Sequence, residues 1–258
     1  MLLTPSNLSP SQKQAYKDML VKKVMCISAQ CGFGKTCVGL TAFSILLRKK
    51  PQSKMLVVCT PEGVKKTWST EHLKWQHLKN LKVVTLVGTP KQREKLLTQD
   101  ADVYAISYNS LQWLMNTNKN TNFDFVFADE ADCLKGRTSK WRKYLIKCAP
   151  KAQYKILSSA TPKTKEEDDY WGLCHYMDGG KSLHAPTAQV FNAMYCKSYT
   201  VNNRQLWKID RKQIPLLEER IAHLFIRYEL SENATIPIKT KSISVSLSPS
   251  SAKKYKTL

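Results

Sequence analysis

The stretch Ser28 to Leu40, SAQCGFGKTCVGL, sets Gly32 and Gly34 directly before a lysine and a hydroxyl, Lys35 and Thr36. That order of residue types suits a phosphate cradle. Glycines let a backbone turn tightly with its N–H groups aimed inward, and the positive end of the helix that follows favours an anion. In such a loop Lys35 reaches the β- and γ-phosphates of a nucleotide, and the Thr36 hydroxyl holds Mg2+. The general pattern G-x-x-x-x-G-K-[ST] has Ala29 in its first glycine position, so the match is incomplete by that pattern alone. A glycine-rich strand-to-helix turn that binds nothing is the competing reading.

Downstream, FDFVFADEAD runs an apolar segment straight into Asp129 and Glu130. The first carboxylate can hold Mg2+ and the second can orient or deprotonate an attacking water. Acidic residues end many surface strands. An apolar run leading into D-E downstream of a phosphate loop is much rarer than either feature alone, and the pair points to an ATPase core using ATP and Mg2+, with Glu130, Asp129 and Lys35 as its catalytic residues.

Short apolar runs supply the frame. Lys23 to Ala29, Lys54 to Thr60, Leu81 to Val87, Asp102 to Tyr108, Phe123 to Asp129 and Tyr154 to Ala160 read as buried strands. Between them KTCVGLTAFSILLRKK, GVKKTWSTEHLKWQHL, TPKQREKLL and SKWRKYLIKCA repeat apolar residues at three and four, the period of a helix. Strand then helix, repeated, predicts an α/β fold with a mostly parallel sheet flanked by helices and binding loops at the carboxyl ends of the strands. After about Gly180 the alternation stops. Ile214 to Tyr228 reads as one amphipathic helix, the segment from Ile236 begins as an extended strand, and SPSSAKKYKTL reads as a helix just starting. Asn116 to Asn122 reads as a polar loop. The division expected is a nucleotide-binding unit over residues 1–180 and a helical and extended connector over residues 181–258.

Composition narrows the partners. Of 258 residues, 42% are hydrophobic and 24% charged, as in an ordinary globular protein. The 41 Lys and Arg against 20 Asp and Glu leave a net charge of +21, a field that attracts polyanions. Charge alone does not choose between DNA and RNA. The eight cysteines contain no C-x-x-C pair, and Cys26, Cys31 and Cys37 match no zinc spacing. Cys174 and His175, like His72 and His77, read as packing or surface residues. The N-terminus lacks a basic region followed by an apolar core, and no apolar run approaches the roughly 20 residues needed to span a bilayer. A reducing cytoplasm with no membrane partner fits this pattern.

The motifs also carry a resemblance. DEAD at Asp129 to Asp132, SAT at Ser159 to Thr161 and the A-x-x-G-x-G-K-T form of the phosphate loop, which accounts for Ala29, resemble the first RecA-like lobe of a superfamily-two helicase. Within that group the chain is similar to Swi/Snf-type translocases, in particular helicases encoded by bacteriophages. DEADCLKGRTSKWRKYL follows their D-E-x-x-x-x-K-N-x-x-S-K pattern with Lys135, Ser139 and Lys140 in register, and LVGTPKQREKLL, DVYAISYNSLQWL and YWGLCHYMDGGKSL continue the likeness. The resemblance implies that Gln12 in LSPSQKQA faces the adenine and that Gly32, Phe33, Gly34, Lys35 and Thr36 bind the nucleotide. It implies that Thr36 and Asp129 hold the metal, that Thr60 and Pro61 contact a nucleic-acid backbone, and that Ser107 and Tyr108 add a further strand contact. It implies further that Lys135 and Lys140 serve nucleic-acid binding or coupling, and that Ser159 and Thr161 couple the nucleotide to lobe movement.

Two departures stand beside it. Ala160 and an acidic run replace the G-T-P and asparagine-containing loop usual in Swi/Snf-type proteins, and DEAD is more usual in RNA-directed relatives. Duplex DNA is the expected partner, with RNA the alternative. The segment TKSISVSLSPSSAKKYKTL resembles the connector into a second lobe, which in the family donates arginines to the phosphoryl-transfer transition state. The reading is therefore a motor lobe completed by a second polypeptide, working in a host's cytoplasm if viral. A catalytically silent regulatory module that binds ATP and nucleic acid, and a piece cut from a longer enzyme, are the other readings.

Overall fold

The computed structural model describes residues 2–117, 122–159, 170–202 and 204–229. All six apolar runs form strands: β1 (Val24–Ala29), β2 (Met55–Cys59), β3 (Val83–Thr85), β4 (Val103–Ser107), β5 (Phe125–Ala128) and β6 (Tyr154–Ser159). Later in the chain β7 (Cys196–Val201) and β8 (Arg204–Ile209) pair as an antiparallel hairpin, and β9 (Phe225–Tyr228) returns to the main sheet. That sheet is parallel throughout, in the order β3-β4-β2-β5-β6-β1-β9. The helices are α1 (Pro10–Lys22), α2 (Lys35–Lys49), α3 (Pro90–Leu97), α4 (Leu111–Thr117), α5 (Lys140–Cys148), α6 (Tyr170–Asp178), α7 (Ala188–Tyr195) and α8 (Ile214–Ile221).

The strands read as nearly unbroken apolar runs because both faces of the sheet are covered. Met25, Ile27, Phe125, Phe127 and Ile156 pack on one side with Met19 of α1 and Val38 and Phe43 of α2. Cys26, Val126, Ala128 and Leu157 pack on the other with Leu145 of α5, Trp171 of α6 and Leu217 of α8. Helix α2 settles directly onto β5, since a Cβ on Gly39 would lie 2.8 Å from the Phe127 ring. Residues beyond Gly180 join the same body. Phe191, Tyr195 and Ile221 enter the second core face, and β9 pairs with β1 in the register Cys26 to Phe225 and Ala29 to Tyr228.

Two expected helices come out differently. The helix read over Ile214 to Tyr228 stops at Ile221, and Phe225–Tyr228 is a strand. The open edge of β1 offers unpaired backbone groups, and the Cys26 N–H donates to Leu224 O at 2.7 Å; closing that edge outweighs two further turns of helix. The helix read from Gly63 is broken into a π-helical turn, Gly63–Trp68, and a 3-10 turn, Glu71–Lys74. Ser69 and Thr70 hydroxyls donate to Lys65 O and Lys66 O at 2.6 and 2.8 Å, the local competition by which such side chains end helices. Residues 118–121 of the polar loop, residues 160–169, and the strand and nascent helix read after Ile236 lie outside the described residues. Among the described residues no helix is long and apolar enough to cross a membrane.

Gly172 marks the tightest helix contact. A Cβ there would fall 1.7 Å from Lys135 O, so α6 rests its backbone on the turn that follows Asp129 and Glu130. Replacing Gly172 with alanine is expected to destabilise the chain by about 3 kcal/mol, which lowers the melting temperature by roughly 6–12 °C. Thermal melting followed by circular dichroism checks this; an unchanged melting temperature would contradict the close contact.

Candidate functional site

Strand β1 ends at Ala29 and α2 begins at Lys35, leaving a short loop with Gly32 at φ 87° and Gly34 at φ 83°. Both angles lie in the left-handed region where glycine carries no side-chain penalty. At Gly34 there is a second reason, because a Cβ would stand 2.7 Å from Gln12 Nε2. The Phe33 side chain is buried against Tyr228, ring centroids 5.8 Å apart, so this residue offers the loop its backbone alone. Lys35 Nζ folds back to donate to Ala29 O and Gln30 O at 2.9 and 3.2 Å. Thr36 sits in the first turn of α2, buried.

Gln12 braces this loop. Its Nε2 donates to Phe33 O at 2.7 Å while its Oε1 accepts the Ser9 N–H at 2.8 Å, so both ends of the amide are engaged. The Ser9 hydroxyl caps α1 by accepting the Gln12 N–H at 3.2 Å. One residue thus serves the helix cap and the glycine loop together.

The acidic end is built with more donors. Asp129 follows β5, and its N–H continues the sheet by donating to Val58 O at 2.7 Å. Its Oδ1 accepts the Ser158 hydroxyl at 2.5 Å and the Glu130 N–H at 3.2 Å, and its Oδ2 accepts Trp68 Nε1 at 3.2 Å. Tyr108 is buried and donates its hydroxyl to Asp129 O at 2.9 Å, so it braces the turn from beneath while its neighbour Ser107 is half-buried. Glu130 is held at φ 51°, a left-handed conformation that costs a non-glycine residue of order 1 kcal/mol and clusters at functional sites. Burial pushes its carboxyl above the usual range, the Asp129 charge adds to this, Lys35 opposes it and Asp132 adds a smaller push. A carboxylate made more basic in this way is suited to take a proton from water.

Asp132 ties the acidic turn to β6. It accepts the Ser159 hydroxyl at 3.0 Å and pairs with Lys135, which is only 4% exposed. Lys140 is exposed at the start of α5, with its Nζ 5.1 Å from the Trp141 ring centroid. Arg142, which sequence reasoning passed over as one polar residue in an amphipathic helix, is buried and donates to Leu134 O, Gly136 O and Arg137 O at 3.0, 2.6 and 2.6 Å. Burial pushes its guanidinium down to about 10. Thr161 lies outside the described residues.

A third cluster opens at the carboxyl ends of β2 and β4. Thr60 and Pro61 are exposed, and Thr60 Oγ1 accepts the Gly63 N–H at 3.1 Å. A cleft of about 120 Å3 runs past Pro61, Lys65, Gly88, Arg93, Ser107 and Ser110. The hydroxyls of Ser107 and Ser110 lie 3.2 Å apart, Arg93 Nη1 donates to Ser110, and the guanidinium stacks 4.7 Å from the Trp113 ring centroid. Arg93 Nε is buried with no partner among the described residues. Arg93 was missed because its signal, an arginine in a short polar helix, is indistinguishable in sequence from a solvated one.

The donor set fits a magnesium nucleotide. Mg2+ is held through one or two carboxylates, a hydroxyl and phosphate oxygens rather than an all-protein cage, and Asp129, Thr36 and the loop N–H groups supply those types. Among the described residues no three His, Cys, Asp or Glu side chains gather for a metal. None of the eight cysteines is in a disulfide, and burial pushes the Cys26 and Cys37 thiols up to about 12.

A family model described as the SNF2-related domain matches residues 25–258. Protein p41 of Acyrthosiphon pisum secondary endosymbiont phage 1 is 30% identical over 231 residues, 86% of this chain and 48% of p41. The human DNA repair and recombination protein RAD54B is 26% identical over 159 residues, 60% of this chain and 17% of RAD54B. Among solved structures, the SWI2/SNF2 ATPase core of Sulfolobus solfataricus in complex with dsDNA superimposes with a TM-score of 0.70 at 20% identity, over 97% of this chain and 51% of that one. That likeness is one of fold. The chain spans about half the length of p41 and of the solved core. It belongs to the SNF2-related domain family.

The raised Glu130 carboxyl has a stability consequence. Above its folded pKa the charged form is less favourable folded than unfolded, so Glu130 lowers stability at neutral pH, and this loss disappears as pH falls through that pKa. Glu130→Gln is therefore expected to melt higher than the unsubstituted chain at pH 7, with the gap narrowing toward pH 4. Equal melting temperatures across that range would contradict the burial and repulsion assigned to Glu130.

Proposed function

We propose that this SNF2-related chain is the ATP-binding lobe of a phage-type DNA helicase or translocase, and that hydrolysis and movement need a second lobe carried by another polypeptide. One observation carries the reading: Asp129 and Glu130 follow β5 with only β6 between that strand and the β1 that leads into the glycine loop, and the Glu130 charge is set against Lys35. In this account Lys35 leaves Ala29 O and Gln30 O for the terminal phosphates, and the loop N–H groups hold the rest. Mg2+, when bound through Thr36 and Asp129, neutralises charge on the phosphate oxygens. Asp129 enters that role with three donors already on its carboxylate, so little reorganisation is required of it. Glu130 accepts the proton of the attacking water.

The charges acting on Glu130 are Asp129, Lys35 and Asp132, two negative and one positive. A transition state that spreads further negative charge over phosphate oxygens needs more cations, and arginines supplied in trans are worth about 10³ to 10⁵ in rate. A second lobe is the natural source. Ser159, through Asp132 and Lys135, links the end of β6 to the acidic turn, which suits a part that relays nucleotide state. Pro61, Lys65, Ser107 and Arg93 line a groove at the same edge of the sheet, beside the exposed Thr60, and a chain of net charge +21 favours a polyanion there.

The test is a fluorescent ATP analogue, with ATP hydrolysis measured with and without duplex DNA, single-stranded DNA and RNA. Magnesium-dependent binding that Lys35→Ala abolishes, with weak hydrolysis by the chain alone, is the expected result. Strong DNA-stimulated hydrolysis by the chain alone removes the need for a second lobe, and tighter binding to RNA than to duplex DNA overturns the substrate. Arg93→Ala is expected to weaken duplex binding and to make the salt slope shallower by about 1; an unchanged slope takes Arg93 out of the groove's chemistry.

A further inference from the structure

We infer that Trp68 is a positioning residue for Asp129, and that residues 60–68 form a single lever joining the groove to the metal-holding carboxylate. The inference rests on the proposed nucleotide site and names a regulation of it. Trp68 is fully buried, its ring lies 5.1 Å from Phe127 at 55°, and its indole N–H donates to Asp129 Oδ2 at 3.2 Å. Packing alone needs no indole here. A phenyl or leucyl group could fill apolar space beside Phe127, whereas the N–H meets the carboxylate oxygen that the other two donors leave open.

The other end of the lever faces the groove. Thr60 and Pro61 are exposed, the Thr60 hydroxyl and carbonyl accept the N–H groups of Gly63 and Val64 at 3.1 and 3.0 Å, and Lys65 lines the cleft with Ser107 and Arg93. The intervening Gly63–Trp68 turn is π-helical, a rare geometry that recurs at functional sites. Phe127 cannot yield to the indole, because Gly39 of α2 approaches the same ring so closely that a Cβ would sit 2.8 Å from it. A shift of the groove end is thereby passed to the Asp129 oxygen. Charge on a phosphate backbone at Lys65 and the aim of Asp129 become one equilibrium.

The readout is the Mg2+ concentration at half-saturation of a fluorescent ATP analogue, with and without duplex DNA, in the wild-type chain and in Trp68→Phe. The substitution keeps an aromatic ring and removes the donor. A carboxylate that loses such a partner typically binds its metal 10- to 100-fold more weakly, so the midpoint is expected to rise roughly 10-fold, while analogue binding without Mg2+ is unchanged and DNA no longer moves the midpoint. Equal midpoints in the two chains overturn the inference, as does an equal loss of affinity with and without Mg2+, which marks a structural role. Absence of Mg2+-dependent binding in the wild-type chain overturns the nucleotide site itself, a separate failure. Should Trp68→Phe not fold, hydrogen exchange of residues 63–68 in the wild-type chain decides: slower exchange on adding the analogue with Mg2+ than with analogue alone is expected, and identical exchange overturns the inference.

Discussion

Two adjacent carboxylates partly withheld from water repel each other, and the arrangement around Asp129 and Glu130 answers that constraint. Asp129 is surrounded by a serine hydroxyl, a backbone N–H and an indole N–H. Its neighbour receives less help, and burial and repulsion raise its proton affinity. The two groups therefore part company while sharing a turn, one surrounded by donors and the other made more basic. A hydrolytic site needs one carboxylate for a cation and one for a proton, and unequal solvation of two like groups is the physical way to obtain both.

The sheet order makes this possible. Strand β6 lies between β1 and β5, with Ile27 opposite Ser158 and Ser28 opposite Ser159. Two consecutive serines at its end point to opposite faces, one reaching Asp129 and the other Asp132. Close backbone contacts lock the frame: α2 lies on Phe127 through Gly39, and α6 lies on Lys135 O through Gly172. Neither helix can lift without opening the packed face under the acidic turn. The resulting precision comes from packing, which is discrete, rather than from long flexible ion pairs.

The strands and the glycine turn were legible because their physics is local. An unbroken run such as MLVVC needs both faces covered, and Gly32-Phe33-Gly34-Lys35-Thr36 carries its turn and its charge in adjacent residues. What escaped was set by distance along the chain. Trp68 in a polar amphipathic stretch looks like an ordinary core residue until β5 brings Asp129 beneath it. Gln12, expected at the adenine from family likeness, also bonds Ser9 and Phe33 through its amide, and its sequence neighbours give no sign of that bracing. Arg142 and Lys135 are buried cations whose partners are backbone carbonyls or a carboxylate a few residues away, and sequence pattern gives no sign of such burial. The strand at Phe225–Tyr228 was hidden because FIRY continues a helical period, and only the unpaired edge of β1 decides against it.

That last strand shows how far from the loop its support extends. Tyr228 donates its hydroxyl to Asp18 Oδ2 at 2.6 Å and packs against Phe33, while Gln12 on the same helix as Asp18 holds Phe33 O. Burial and the bond to Asp18 push the phenol well above its usual range, so it stays a donor across any physiological pH. Phe33 is thus held on its ring by β9 and on its carbonyl by α1. Side chains on a strand alternate faces, and Ile226 and Tyr228 join the α1 and α2 side while Phe225 joins the other. A one-residue slip of β9 would exchange these faces and take away both Tyr228 contacts, to Phe33 of the glycine loop and to Asp18 of α1, at once. The loop's left-handed glycines supply its shape, but its position depends on a register set some two hundred residues later in the chain, between Asp18 and Tyr228 at a separation of 210.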